Sequence, residues 1–231
     1  MSALVELRGV TRIYGEGEAR VAALDGIDLD VNPGDFLALM GPSGSGKSTC
    51  LNVVGTLDEP TEGSYRFRGV EVTELSANQR ALLRRNYLGF VFQGYNLLPR
   101  TTALENVELP LIYRGLPARE RVERAMHALD EVGLAHRAHH APNELSGGQQ
   151  QRVAMARALV SDPELVLADE PTGNLDTARS HGIMELLASL NRDKGITVLM
   201  VTHEEEMADY AHAILRFRDG CIVGRDERNA P

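Results

Sequence analysis

The stretch from Gly41 to Thr49 constrains the fold of this chain most, because its glycines and lysine have the spacing of a phosphate-binding loop. It fits the pattern G-x-x-x-x-G-K-[ST], in which glycines let successive backbone N–H groups converge on phosphate oxygens. Lys47 can extend its ammonium group to the β- and γ-phosphates, and the Ser48 hydroxyl can bind magnesium. The predicted phosphate site comprises Gly41, Pro42, Ser43, Gly44, Ser45, Gly46, Lys47, Ser48 and Thr49.

The residues that flank this loop predict the strand–loop–helix unit that the motif requires. Residues 36–40 are continuously apolar and predict a buried strand. Residues 47–54 predict a helix whose positive end faces the bound anion. The alternative is a glycine-rich turn that binds nothing, and these flanking elements disfavour it.

Two acidic residues directly follow another apolar run. Residues 165–168 read Leu-Val-Leu-Ala and predict a strand buried on both faces, and Asp169 and Glu170 come next. A phosphate-loop site needs a further acid to hold the magnesium ion, and Asp169 has the expected position. Because consecutive side chains diverge at a strand end, Glu170 can face the attacking water instead. A pair of surface acids is the alternative, which the apolar strand before them disfavours.

A second anion site is predicted where Leu145-Ser-Gly-Gly-Gln149 precedes a long helix. Its residues are Ser146, Gly147, Gly148 and Gln149. One nucleotide does not need two such sites from a single chain. We therefore expect this segment to meet the γ-phosphate bound by another copy of the protein.

The remaining pattern predicts an α/β chain with a helical insertion. Further strands are predicted at 5–14, 28–31, 64–67, 87–92 and 196–201, with a hairpin of 214–218 and 221–225 around Asp219-Gly220. A capping box at Ser76 predicts a helix to Arg84. From about 95 to 161 the pattern is helical, as at Val122, Met126, Leu129 and Val132.

Bulk properties exclude several classes of protein. A chain of 231 residues can form a large α/β core with an inserted lobe. The formal net charge of -9 argues against a general nucleic-acid binder, so we expect no nucleic acid partner. Two distant cysteines favour a reduced, intracellular protein. No stretch approaches the ~20 apolar residues that cross a bilayer, so if this protein works at a membrane, another chain must span it.

The motifs together resemble those of an ABC transporter ATPase subunit. The phosphate loop, Gln93, the Leu145–Gln149 signature, Asp169-Glu170, Asn174-Leu-Asp176 and His203 occur in the family's order and at its spacing. The finer resemblance is to the bacterial subfamily that serves macrolide exporters, lipoprotein-releasing complexes and cell-division permeases. It is carried by residues 92–99, 105–110 and 167–176.

This resemblance implies an α/β fold with a P-loop NTPase (RecA-like) core, an amino-terminal antiparallel β subdomain and an inserted α-helical subdomain. Residues 1–94 and 162–231 would form the catalytic lobe, and 95–161 the helical signature lobe, within one domain of residues 1–231. The implied ligands are ATP and Mg²⁺. The implied partners are a second, head-to-tail copy of the chain and a membrane permease, at the cytoplasmic face of the bacterial inner membrane.

The resemblance also implies individual roles. Tyr14 would stack on adenine, and Thr49 would contact the α-phosphate. Ser48, Gln93 and Asp169 would hold magnesium, while Lys47, Gln93, Glu170 and His203 would serve hydrolysis, with Glu170 as the general base. Ser146, Gly147, Gly148 and Gln149 would act on the partner's nucleotide, and Asp176 would link the two sites.

These features predict an ATPase, converting ATP and water to ADP and phosphate, that drives a separate permease. A cell-division regulator coupled to a permease-like protein is an alternative that the sequence leaves open. A DNA-acting ABC ATPase is disfavoured, because such proteins carry long coiled coils between Gln93 and the signature. A tandem ribosome-acting protein is disfavoured by the single set of motifs. We further expect part of residues 95–102, a stretch that includes Leu97 and Leu98, to line a groove for a permease helix; the alternative is that these side chains pack inside the helical lobe.

Overall fold

The computed structural model describes residues 3–228, apart from the side chain of residue 18. The strands are β1 (Val5–Tyr14), β2 (Val21–Val31), β3 (Phe36–Met40), β4 (Glu62–Phe67), β5 (Val70–Glu71), β6 (Leu88–Phe92), β7 (Leu165–Asp169), β8 (Thr197–Val201), β9 (Ala213–Arg218) and β10 (Cys221–Glu227). The α-helices are α1 (Lys47–Val54), α2 (Ala77–Tyr87), α3 (Ala103–Tyr113), α4 (Ala118–Glu131), α5 (Gly147–Leu159), α6 (Thr177–Lys194) and α7 (Glu205–Ala208).

A six-stranded sheet in the order β10-β9-β3-β8-β7-β6 forms the centre of the molecule. Its strands are parallel except β10, which pairs with β9 in an antiparallel hairpin. Residues of β3 alternate between two hydrophobic cores, since Phe36 and Met40 face one and Leu37 and Leu39 face the other. Both faces of this sheet are therefore covered, which explains why its strands are continuously apolar.

A second, antiparallel sheet has the order β2-β1-β4-β5 and belongs to the amino-terminal part of the chain. Its inner residues share one hydrophobic core with α1 and with Leu37 and Leu39 of the central sheet. The predicted antiparallel amino-terminal subdomain and α/β core are therefore confirmed. The observed β2 starts at Val21, earlier than the predicted residue 28, because its first half pairs with β1 while remaining largely exposed.

The segment between β6 and β7 contains three α-helices, α3, α4 and α5, and no strand. Leu111, Leu129 and Met155, one from each helix, are fully buried in the core on the other face of the central sheet. The helical insertion thus has the predicted character, while its bounds at 95 and 161 stay a prediction. Within residues 3–228, we find no helix with the length and apolarity that a membrane span needs.

Side-chain caps fix several helix starts. The Ser76 hydroxyl accepts from the Gln79 N–H and the Gln79 side chain accepts from the Ser76 N–H, as the predicted capping box requires. Thr102 and Glu105 make the same pair of bonds at the start of α3. Helix α2 continues to Tyr87, beyond the predicted Arg84.

Candidate functional site

The predicted site residues meet at the carboxyl edge of the central sheet. The phosphate loop follows β3, Gln93 follows β6, Glu170 follows β7, and His203 lies two residues after β8. Phe92 pairs with Asp169, and Asp169 pairs with Val201, so these strand ends are in register. Parallel strands bring their carboxyl ends to one edge, where ligands bind in open α/β sheets.

The phosphate loop has a backbone that only glycine can supply at two positions. Gly46 has φ of 103°, and a Cβ there would lie 2.3 Å from the Ala23 carbonyl oxygen. A Cβ on Gly41 would lie 2.1 Å from the Phe217 carbonyl oxygen. Larger residues would therefore push the loop away from the neighbouring strands. Gly46 is the N-cap of α1, which leaves the helix's first N–H groups facing the loop.

Lys47 is folded back into the phosphate loop and is only 6% exposed. Its ammonium group donates to the carbonyl oxygens of Gly41 at 2.9 Å and Pro42 at 2.7 Å. Burial lowers the pKa of Lys47, while the charges of Glu170 and Asp169 oppose that change. The loop thus holds the Lys47 ammonium group, a poorly solvated cation, where the negative charge of a bound phosphate would compensate its charge.

Asp169 and Ser48 form the pair expected to hold magnesium. The Ser48 hydroxyl donates to Asp169 Oδ1 at 3.2 Å. Burial raises the pKa of the Asp169 carboxyl, and Glu170 raises it further, whereas the Ser48 hydrogen bond and Lys47 lower it. A carboxylate and a hydroxyl beside a phosphate loop are hard oxygen donors of the kind that Mg²⁺ prefers, so these residues fit the ion.

Glu170 has a strained backbone and a defined partner. Its φ of 46° lies in the left-handed region that non-glycine residues rarely adopt. The Glu170 N–H donates to the Val201 carbonyl at 2.9 Å, which ties the residue to the end of β8. His203 Nδ1 lies 3.1 Å from Glu170 Oε1. Such strain concentrates at functional sites, where the surrounding structure maintains it.

Gln93 is held against the segment that follows Glu170. The Asn174 side chain donates to the Gln93 carbonyl oxygen at 2.8 Å. A Cβ on Gly173 would lie 2.6 Å from Gln93 Nε2, so this glycine permits the side chain to lie where it does. The predicted Gln93 and Asp169-Glu170 motifs are therefore neighbours, although Gln93 and Ser48 share no hydrogen bond within residues 3–228.

The signature residues lie at the start of α5, as predicted, and bond to one another. The Ser146 hydroxyl accepts from the Gln149 N–H at 3.4 Å, and the Ser146 N–H donates to Gln149 Oε1 at 2.9 Å. Gly148 lies against the aliphatic part of Arg179, whose guanidinium is 3.2 Å from the Asp176 carboxylate. Ser146 and Asp176 are thus helix caps in this chain, in addition to any role toward a second copy.

Tyr14 ends β1 with its side chain 40% exposed. Its hydroxyl donates to the Asp58 carboxylate, and the Arg12 guanidinium lies 4.6 Å from the ring centroid. Thr49 lies in the first turn of α1, partly buried. One face of the Tyr14 ring is therefore occupied by Arg12.

Sequence reasoning missed Arg157, which connects the signature helix to the segment after Gln93. The Arg157 guanidinium donates to the carbonyl oxygens of Tyr95, at 2.8 Å, and Asn96. Tyr95 and Asn96 have φ of 60° and 49°, so Arg157 stabilises two consecutive left-handed residues. Burial lowers the pKa of Arg157. No local pattern could have indicated this contact, because Arg157 is 62 residues from Tyr95 and 61 residues from Asn96 in the sequence.

A groove of about 710 Å³ adjoins this connection. Its apolar wall includes residues of α2, β6 and α3: Leu82, Leu88, Phe90, Phe92, Leu109, Pro110 and Tyr113. Asn96 lines it, but Leu97 packs against the helical core instead. Leu97 thus does not line this groove and packs within the helical lobe, while the expectation that part of residues 95–102 lines a permease groove stays a prediction. Leu98 remains 45% exposed outside the groove lining.

Comparison with known proteins finds relatives over nearly the whole chain. The profile of the family described as ABC transporter matches residues 24–173. An uncharacterized ABC transporter ATP-binding protein of Thermotoga maritima is 53% identical over 228 residues, covering 99% of this chain and 97% of that protein. The macrolide export ATP-binding/permease protein MacB of Hyphomonas neptunium is 50% identical over 220 residues, covering 95% of this chain but 34% of MacB. This chain thus spans about a third of that relative's length.

A solved structure has the same fold. It is the dimeric, post-hydrolysis state of the ATP-binding cassette MJ0796 bound to ADP and Pi. The TM-score is 0.90 at 44% identity, with 98% of this chain and 100% of that chain covered.

Proposed function

This chain belongs to the ABC transporter family and carries its ATP-binding domain, and from that premise we propose that it hydrolyses ATP between two head-to-tail copies and drives a separate membrane permease. The observation that carries the proposal is the cluster at the sheet edge. This cluster contains the Lys47 ammonium group, the hydroxyl–carboxylate pair of Ser48 and Asp169, and the carboxylate–imidazole pair of Glu170 and His203.

The roles follow from the chemistry of each group. Lys47 would neutralise the β- and γ-phosphates, and magnesium held by Ser48 and Asp169 would offset charge on the same oxygens. Gln93, which the resemblance assigns to the metal, would be a further protein ligand beside the phosphate oxygens and water. Glu170 would accept a proton from the attacking water, and His203, 3.1 Å from it, would contact the γ-phosphate. Water and ATP would give ADP and phosphate.

The signature would act on the nucleotide of a second copy. Ser146 and Gly148 lie at the amino end of α5, a helix of 13 residues whose dipole favours an anion. The cassette MJ0796, at 44% identity, is described as a dimer with ADP and Pi. That likeness supports a dimer in which each nucleotide contacts one phosphate loop and the other copy's signature.

The groove would receive a helix of the permease. Three arginines line it, namely Arg84, Arg85 and Arg157, and their guanidinium groups donate to backbone carbonyls. None of the three forms a salt bridge within residues 3–228. The groove therefore suits an apolar segment that carries a carboxylate. MacB relatives, described as ATP-binding/permease proteins, support a membrane partner. We further propose a location at the cytoplasmic face of the bacterial inner membrane, which the resemblance of the motifs implies.

The direct test of the activity is Glu170→Gln. The amide keeps the shape of the side chain but cannot accept the proton, so ATP turnover should fall by roughly 10²–10⁴ while ATP binding is retained. Glu206→Gln is the control, because that carboxylate, on helix α7, is 76% exposed. Hydrolysis by the Glu170→Gln protein at the parental rate would reject the assignment of the base.

A further inference from the structure

Asp58 connects the candidate adenine contact to the helix that begins at the phosphate loop. The Asp58 N–H donates to the Asn52 carbonyl of α1 at 3.2 Å, and the neighbouring Leu57 N–H donates to the same oxygen at 2.9 Å. This fixes the backbone of Asp58 relative to α1. The Asp58 side chain is only 19% exposed.

The Asp58 carboxylate binds two side chains of β1. Arg12 donates Nε to Oδ2 at 3.0 Å and approaches Oδ1 through a second nitrogen at 2.7 Å, a two-point contact. The Tyr14 hydroxyl donates to Oδ2. The Asp58 carboxylate thus holds both the Arg12 guanidinium and the Tyr14 ring that this guanidinium covers.

Further bonds keep this part of β1 next to the Asp58 segment. The Thr61 N–H donates to the Thr11 carbonyl at 2.7 Å, and the Ile13 N–H donates to the Thr61 hydroxyl at 3.0 Å. The strand end that carries Tyr14 is therefore bonded to this segment at Thr11 and Ile13 as well as through the side chains of Arg12 and Tyr14. Its position relative to Lys47 is set through α1 and not by a free loop.

We propose that Asp58 is a positioning residue for the nucleobase, which holds the Tyr14 ring at a fixed distance from the phosphate loop. Arg12 covers one face of the ring, and the base stacks on the opposite face of this residue, which is 40% exposed. The inference rests on the proposed function, since it takes ATP as the ligand. It adds Asp58 and Arg12 to the residues that determine which nucleotide binds.

Stacking is stronger for the larger purine ring than for a pyrimidine. Loss of the fixed position of the Tyr14 ring should therefore weaken the binding of a purine nucleotide more than that of a pyrimidine nucleotide. Damage to the phosphate loop would instead weaken the binding of purine and pyrimidine nucleotides by the same factor. The ratio of ADP to UDP affinity therefore separates a base platform from a general structural effect.

The experiment is calorimetric titration of the full chain with Mg-ADP and Mg-UDP. Asp58→Ala should weaken ADP binding about 5-fold, the lower end of the value of one base–aromatic stack, and UDP binding by less. Because the base contact is the same before and during the reaction, KM for ATP should rise by about the same factor with kcat within about twofold. Asp30→Ala is the matched control, since it breaks another Arg–Asp pair, between Arg8 of β1 and Asp30 of β2, and the Arg8 guanidinium covers no aromatic ring in the described part of the chain.

Tyr14→Phe keeps the proposal testable if Asp58→Ala fails to fold. It retains the ring but loses one hydrogen bond to Asp58, and should weaken ADP binding about 3-fold. Equal losses for ADP and UDP, or ADP affinity within twofold of the parent in both variants, would overturn the inference. Failure of the parent chain to bind ADP at all would instead reject the proposed function.

Discussion

Lys47 and Asp169 lie where burial disfavours their charged forms. The pKa of Lys47 is lowered and that of Asp169 is raised, in each case mainly by burial. A phosphate beside Lys47 and a magnesium ion beside Asp169 would each supply the opposite charge. Part of the free energy of binding Mg-ATP should therefore come from neutralising the charges of Lys47 and Asp169, which are poorly solvated in the folded protein.

Lys47→Ala should remove the thermal stabilisation of the protein by Mg-ATP. In the parent chain, ATP at 100 times its Kd should add about 2.7 kcal/mol and raise Tm by about 5 °C or more. The variant should show little of that rise, because it lacks the cation for the phosphates. Lys194→Ala is the control, since Lys194 pairs with Glu131 on the surface. Differential scanning fluorimetry measures both, and a full ATP-dependent shift in Lys47→Ala would contradict the assigned role.

At the scale of elements, the short hairpin of β4 and β5 depends on one carboxylate. Burial alone would raise the pKa of Glu71, but bonds from Ser64, Thr73, Arg66 and the Tyr65 N–H lower it to about 2. Since the unfolded value is 4.5, ionised Glu71 stabilises the fold above about pH 4.5, and this contribution is lost as the pH falls toward 2.

Glu71→Gln should therefore reduce stability at pH 7 by up to about 3 kcal/mol and flatten its dependence on pH between about 4.5 and 2. Urea midpoints at pH 7, 4 and 3 would measure this. The neighbouring, exposed Glu74 provides the control variant Glu74→Gln. Parallel pH profiles for Glu71→Gln and the parent chain would show that the hydrogen bonds at Glu71 contribute nothing.

Elements with local signals could be predicted, and those without could not. The capping box at Ser76 and the turn at Asp219-Gly220 are each determined by a few consecutive residues, and both form as expected. The first half of β2 had no such signal, because its pairing is set by β1 and interrupted by register shifts. Helical spacing likewise predicted that Val122 lies in a helix but could not predict its burial, since Val122 lies in α4 and is 42% exposed.

For the whole molecule, the sequence predicts the sheet edge well, because four of its motifs lie at or just after the carboxyl end of a parallel strand: the phosphate loop, Gln93, Asp169-Glu170 and His203. It cannot predict links made by single side chains across the fold. Arg157 reaches Tyr95 and Asn96, and Asp58 reaches Arg12 from 46 residues away. Arg157 thus joins the signature helix to the groove, and Asp58 joins Tyr14, the proposed nucleobase contact, to the helix that follows the phosphate loop.

The groove predicts where a permease contact can be broken without unfolding the chain. Leu82 and Tyr113 line it and are 43% and 72% exposed, so Leu82→Asp and Tyr113→Asp should leave folding and ATP binding intact. Each added carboxylate should repel an acidic partner and reduce co-purification with the candidate permease from membranes at least several-fold. Val223→Asp on β10, where Val223 is 53% exposed, is the control. Normal co-purification of both groove variants would place the contact elsewhere.

The composite nucleotide site is the central claim, and the mass of the Glu170→Gln protein in solution tests it most directly. With hydrolysis blocked, Mg-ATP should hold two copies together, each phosphate loop facing the other copy's Ser146 and Gly148. Light scattering at micromolar protein should give the monomer mass without ATP and twice that mass with saturating Mg-ATP. Adding Ser146→Arg should abolish the change. A monomer under both conditions for the Glu170→Gln protein would contradict the account.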